Sequence, residues 1–145
     1  MPPRFYFAYG SNMSTERLQA RVERARPVGR GRYPDMELTF NKRGVDGSGK
    51  ANLMARRDAC AWGVLFDLHP DDWQILDRFE PGYARTACSI QLDTAELVEA
   101  QVYLAVPPLA PLAPHDWYRD HLLRGAQEHA LPADVIDMLH AIELL

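Results

Sequence analysis

The chain has 145 residues, of which 47% are hydrophobic and 25% charged, with a formal net charge of -4. Those values suit one globular domain over residues 1–145 with a sizeable core. They argue against a nucleic-acid partner, because the charge is negative and the basic residues do not cluster.

In chain order, Phe5 to Tyr9 reads as a short aromatic strand that runs into the tight turn Gly10-Ser11-Asn12. A short helix follows around Thr15 to Ala20. Arg24 to Gly31 and Met36 to Asn41 read as two strands separated by Tyr33-Pro34-Asp35. The even spacing of Arg24, Arg26, Arg30 and Arg32 predicts the solvent face of an extended segment. Arg43 to Lys50 carries three glycines and reads as a loop rimming a pocket. Ala51 to Ala55 and Ala61 to Leu68 read as two more strands.

His69-Pro70-Asp71-Asp72 opens a helix, since proline suits the first turn and aspartates suit the positive end of the helix dipole. That helix should end near Phe79, because Glu80 precedes Pro81 and Gly82 follows. Thr86 to Leu92 and Val98 to Ala105 pair as a hairpin around Asp93 to Leu97. Val106 to Pro114 holds four prolines and is a connector. Asp116 to His129 and Pro132 to Glu143 are a terminal helix pair. The order predicts an α+β fold, a small mixed β-barrel flanked by helices.

Cys60 and Cys88 stand 28 residues apart in apolar, strand-like contexts without metal spacing. They are expected to be buried free thiols in a reducing compartment. No signal peptide, lipidation motif or apolar run of about 18 residues is visible, so a soluble cytoplasmic protein with no membrane partner is expected. The five histidines include no i,i+4 pair, and the glycines match no phosphate-binding or dinucleotide pattern. No metal and no cofactor are expected. Ser11 lacks a nucleophile elbow and a histidine placed beside it by sequence.

Two features carry chemistry. The Gly10-Ser11-Asn12 turn can gather backbone N–H groups into one concavity that suits an anion or oxyanion, although a capped strand-to-helix connection has the same composition. Trp73, Leu76 and Glu80 fall at i, i+3 and i+7, so a persisting helical path brings Glu80 to the apolar edge. Partial burial and a helix C-terminus both disfavour a carboxylate and raise its pKa toward neutrality, as a base that must also act as an acid requires. A solvated glutamate just past a helix end would show the same spacing.

The run Tyr6-Phe7-Ala8-Tyr9-Gly10-Ser11-Asn12 resembles the signature of the γ-glutamylcyclotransferase family without a mismatch. Leu76-Asp77-Arg78-Phe79-Glu80 resembles the segment ending in that family's catalytic glutamate. Supporting blocks are Asn41-Lys42-Arg43, Gly49 to Leu53, Trp62 to Leu68, Val102-Tyr103-Leu104, Trp117-Tyr118 and Gly125-Ala126. The resemblance implies a compact barrel flanked by helices and formation of 5-oxoproline from a γ-glutamyl amino acid or amine. It implies Glu80 as catalytic residue and Tyr6, Phe7, Ala8, Tyr9, Gly10, Ser11 and Asn12 as the substrate cradle. Tyr83, Tyr103 and Tyr118 are expected pocket walls, Tyr103 and Tyr118 by matching family tyrosines. The segment Pro81-Gly82-Tyr83-Ala84 is shorter than in many members, so the resemblance assigns neither a role for Tyr83 nor the leaving-group side of the pocket. Two other uses of the scaffold are non-catalytic binding of a γ-glutamyl metabolite and removal of a γ-glutamyl protecting group in a biosynthetic pathway.

Overall fold

A computed structural model describes residues 3–106 and 110–145. Five strands close into a barrel in the order β1-β3-β2-β4-β5: β1 Phe5–Ala8, β2 Arg26–Arg43, β3 Gly49–Asp67, β4 Tyr83–Gln91 and β5 Leu97–Ala105. Among the described residues, four helices flank it: α1 Thr15–Arg21, α2 Trp73–Arg78, α3 Asp116–Glu128 and α4 Ala133–His140. Single-turn 3-10 segments at Ser11–Met13 and Pro70–Asp72 lead into α1 and α2. The predicted mixed barrel with flanking helices is therefore the observed architecture. The connector read over Val106–Pro114 lies partly outside the described residues.

The four strands expected between Arg24 and Leu68 are two long ones. β2 and β3 form one antiparallel hairpin from Arg26↔Asp67 to Arg43↔Gly49. The turn signal Tyr33-Pro34-Asp35 is absorbed as a bulge, with the register shifting between Pro34 and Met36. Asp35 and Asp58 both take positive φ there, 60° and 67°, and the Asp35 carboxylate accepts a bond from the Asp58 N–H at 2.9 Å. A side chain that bonds the partner strand's free amide lets the ladder resume instead of ending. Cys60 sits at this bulge and is exposed, against expectation, while Cys88 is buried and its thiol is pushed up to about 12 by burial.

Arg24 is exposed as predicted but lies outside the extended segment. It precedes β2 and bonds the buried Asp72 carboxylate at 2.7 Å, tying the start of the hairpin to the turn before α2. Arg30 and Arg32 do flank one side of the sheet, both lying over the Trp62 ring.

The core fills the barrel and the space beneath α1 and α3. Phe7, Leu65, Phe66, Leu76, Ile90 and Leu122 are each fully buried. Each such side chain contributes ~1.5–3 kcal/mol of hydrophobic stabilisation. Two seams of the barrel are thin: β1 meets β5 at Tyr6↔Gln101 and β2 meets β4 at Arg32↔Gln91. Asn52, buried in β3, bridges to β5 instead. Its side-chain oxygen accepts from the Ala105 N–H at 2.9 Å and its amide donates to the Ala105 carbonyl at 3.3 Å and to Asn41 at 2.8 Å.

Candidate active site

One cavity of about 330 Å³ opens where the 3-10 turn after β1, the end of α2, and the tip of the β2–β3 hairpin converge. That volume is at the lower end of small-molecule pockets. β1 delivers Tyr6 to it, and the turn that follows delivers the rest of the signature residues that line it. Tyr6 and Tyr9 line the cavity, as do Gly10, Ser11 and Asn12. Phe7 and Ala8 do not line it. Phe7 is directed into the core, where its ring meets Tyr33 edge-on at 6.3 Å, and Ala8 packs behind β3. The pleat of β1 turns Phe7 to the face opposite Tyr6, while Ala8 is buried without reaching the cavity, so neither belongs to the expected cradle.

The turn itself is held from behind. The Met13 and Ser14 N–H groups bond the carbonyls of Gly10 and Ser11, which leaves the N–H groups of Ser11 and Asn12 unused by the turn. Gly125 of α3 packs directly on it: a Cβ there would meet Met13 at 2.4 Å and the Ser14 nitrogen at 2.6 Å. Ser14 caps α1 by accepting from the Arg17 N–H at 3.4 Å. α1 then presents Arg17 and Arg21 to the cavity one turn apart.

Glu80 reaches the same cavity because the chain keeps a helical path past α2. The Phe79 and Glu80 N–H groups bond the carbonyls of Leu76 and Asp77 at 2.9 and 3.2 Å. Trp73 and Leu76 are buried on that side, and Glu80 is partly buried beside them. Asn12 donates to Glu80 Oε1 at 3.1 Å and to the Tyr6 hydroxyl at 3.2 Å, joining the turn to the carboxyl. Burial pushes the Glu80 carboxyl up to about 7, against the opposing pull of Arg21, Arg17, the Asn12 bond and Lys42. A carboxyl poised near neutrality can both take and give a proton at working pH.

Three further tyrosines wall the cavity beside Tyr6 and Tyr9, and their hydroxyls are spoken for. The Tyr83 hydroxyl donates to the Ala51 carbonyl at 2.7 Å, while the Ala51 N–H donates to the Tyr118 hydroxyl at 3.0 Å. One residue of β3 thus orients two rings. Tyr83 belongs to β4, which begins three residues earlier than the expected Thr86. The Tyr103 hydroxyl donates to Asp77, and the Tyr9 hydroxyl to the Tyr103 carbonyl. Burial raises the pKa of all four phenols, so they serve as neutral groups.

Four cations also line the cavity that were not among the expected site residues: Arg17, Arg21, Lys42 and Lys50. The two arginines were legible as an i,i+4 pair just behind the signature. The two lysines were not, because only the hairpin register sets them opposite one another as Lys42↔Lys50. No histidine hydrogen-bonds Ser11 among the described residues. His121 Nε2 instead accepts from the Arg17 guanidinium at 3.3 Å, and His129 bonds Thr15 at 3.1 Å.

The AIG2-like family matches residues 61–139, a segment that contains Glu80, Tyr83, Tyr103 and Tyr118. Mouse γ-glutamylcyclotransferase is 30% identical over 95% of this chain and 78% of its own length. The chain belongs to the AIG2-like, γ-glutamylcyclotransferase-like family. The human γ-glutamylcyclotransferase is 29% identical over the same shares of the two chains. A solved structure of a γ-glutamyl cyclotransferase superposes with a TM-score of 0.91 at 25% identity, covering 97% of this chain and 88% of the other. Within this family the chain is a cyclotransferase-like enzyme with a barrel of the same fold. Among the described residues, no helix is long and apolar enough to cross a membrane.

Proposed function

We propose that the protein cyclises the γ-glutamyl group of a γ-glutamyl amino acid or amine to 5-oxoproline and releases the amine. The observation that carries this is the Glu80 carboxyl, poised near neutrality in a cavity and hydrogen-bonded by Asn12 of the signature turn.

The reaction needs little equipment. The α-amino group of the substrate is its own nucleophile. Glu80, as carboxylate, takes a proton from the α-ammonium. The freed nitrogen attacks the γ-carbonyl carbon, a C–N bond forms, and a five-membered ring closes. Glu80, now protonated, gives that proton to the departing nitrogen as the γ-amide C–N bond breaks; the carboxylate so regenerated takes the second proton from the ring nitrogen and passes it to the released amine, which leaves as an ammonium ion. Holding the folded conformer supplies on the order of several kcal/mol. The N–H groups of Ser11 and Asn12 suit the developing oxyanion. Arg17 and Arg21, which follow that turn, suit the α-carboxylate of the γ-glutamyl group. The neutral tyrosines enclose the site without competing for the proton.

The test is incubation of the purified protein with a panel of γ-glutamyl compounds, with mass spectrometry for 5-oxoproline and the free amine in equal amounts. Release of glutamate in place of 5-oxoproline, or no release from any member of the panel, overturns the reading.

A further inference from the structure

Arg17 reaches the cavity with little to hold it there. Arg21 stands one turn on, at i,i+4, where like charges repel, and it lines the same cavity. Among the described residues, no carboxylate lies within 4.0 Å of Arg17. Its Nε is buried without a hydrogen-bond partner. A long, flexible cation so placed would swing its head toward water. One contact opposes that: Arg17 Nη1 donates to His121 Nε2 of α3 at 3.3 Å.

His121 is not itself among the lining residues of the cavity. It sits one turn past Trp117 and Tyr118 on α3. Tyr118 is a wall of the cavity, and Trp117 meets the His121 ring edge-on at 6.3 Å. The imidazole is therefore fixed by its own helix on one side and meets α1 on the other.

The protonation of that ring follows from its partner. Arginine has donors only, so Nε2 must accept, and the one ring proton sits on Nδ1. Nδ1 is buried and, among the described residues, has no partner. A side chain that served only to pack would not leave a buried N–H orphaned, because an apolar ring of the same shape avoids that cost. The ring must also be neutral, since an imidazolium cannot accept. Burial, and then Arg17, Arg124 and Arg21, hold the His121 pKa below its usual range, while Asp120 pulls the other way.

We propose that His121 is a positioning residue: by accepting from Arg17 it holds that guanidinium in the cavity, with Nε left free for the α-carboxylate of the γ-glutamyl group. The proposal rests on the cyclotransferase reading for the ligand that Arg17 meets, and it adds α3 as the element that sets the place of an α1 side chain.

The first measurement needs no substrate. Nitrogen-15 NMR at about pH 8, where the ring is neutral, should show His121 as the Nδ1–H form, the minor tautomer of free histidine. Arg17→Met should return it toward the Nε2–H form. An Nε2–H ring in the wild type would overturn the contact. The second measurement takes kcat and KM for the γ-glutamyl compound that the wild type turns over best. His121→Phe keeps the ring and removes the acceptor, so KM should rise ~10-fold at about pH 8 with kcat little changed, the scale of one hydrogen bond to a charged group. His121→Gln offers an amide oxygen near the place of Nε2 and should restore most of that loss. At about pH 5 the wild-type KM should exceed that of His121→Gln, because the imidazolium repels Arg17 and glutamine does not titrate. If His121→Phe fails to fold by circular dichroism, the comparison of His121→Gln with wild type at the two pH values carries the test. An unchanged KM in folded His121→Phe, a rise that His121→Gln does not reverse, or parallel pH profiles would overturn the positioning role and leave the reaction standing. A wild type that turns over no γ-glutamyl compound would overturn the reaction, and with it the ligand assigned to Arg17, whatever tautomer the ring shows.

Discussion

At the scale of single residues, Glu80 owes its chemistry to position. The same carboxyl in water would be ionised from about pH 4.3 upward. Burial at the end of α2 moves it to about 7. As the proposed base it must begin as carboxylate, so kcat/KM should rise through pH 7 and fall away on the acid side. A flat profile from pH 5 to 8 would remove Glu80 as the base. Stability should run the other way. Between 4.5 and about 7 the folded chain holds a proton that the unfolded chain has lost. Stability contributed by this group is therefore present at low pH and declines as pH rises to about 7. Glu80→Gln should lose ~100-fold or more in turnover, and it should gain more in Tm at pH 8 than at pH 4.5. A further check uses substrate with an acetylated α-amino group in water labelled with oxygen-18. Cyclisation leaves that compound intact, because its nucleophile is blocked. A hydrolase using Ser11 would cleave it and place the label in N-acetylglutamate.

At the scale of elements, α3 holds the signature turn through Gly125. Gly125→Ala sets two effects against each other. Helix propensity favours alanine by ~1 kcal/mol. The new Cβ would stand 2.4 Å from the Met13 backbone and side chain. Backbone in a tight turn cannot yield as a flexible side chain does, and overpacking costs ~1–3 kcal/mol. The clash should win, lowering Tm by ~2–8 °C and raising KM as the turn shifts. A more stable variant with unchanged KM would show that α3 does not position the turn. The β2–β3 hairpin shows where local reading stops. Tyr33-Pro34-Asp35 and the glycines after Arg43 both look like turns in sequence. Only the second reverses the chain. The first survives as a bulge because Asp35 bonds the Asp58 amide across the ladder, a partner 23 residues away.

At the scale of the whole molecule, the barrel is closed across thin seams, and Asn52 supplies bonds that the strand ladder does not. Asn52→Leu keeps the volume and removes three bonds, leaving the buried Ala105 N–H without its partner. The cost should be ~3 kcal/mol, seen as a Tm lower by ~6–12 °C, with the cavity loosened because Ala51 orients Tyr83 and Tyr118 beside it. An unchanged Tm would mean that the ladder alone closes the barrel. What the sequence determined by itself was whatever depends on near neighbours: the β1 strand and its turn, the helical path that carries Trp73, Leu76 and Glu80 to one side, the β4–β5 hairpin, and the terminal helices. Hydrophobic period, caps and turn residues act over a few positions, so they can be read there. The tertiary structure alone decided that Phe7 faces the core while Tyr6 faces the cavity, that Asn12 meets Glu80, and that Lys42 stands opposite Lys50. Those outcomes depend on register and on packing between residues up to 68 positions apart. Nothing in the local chain encodes such distances until the core has closed and only one alignment buries its apolar face.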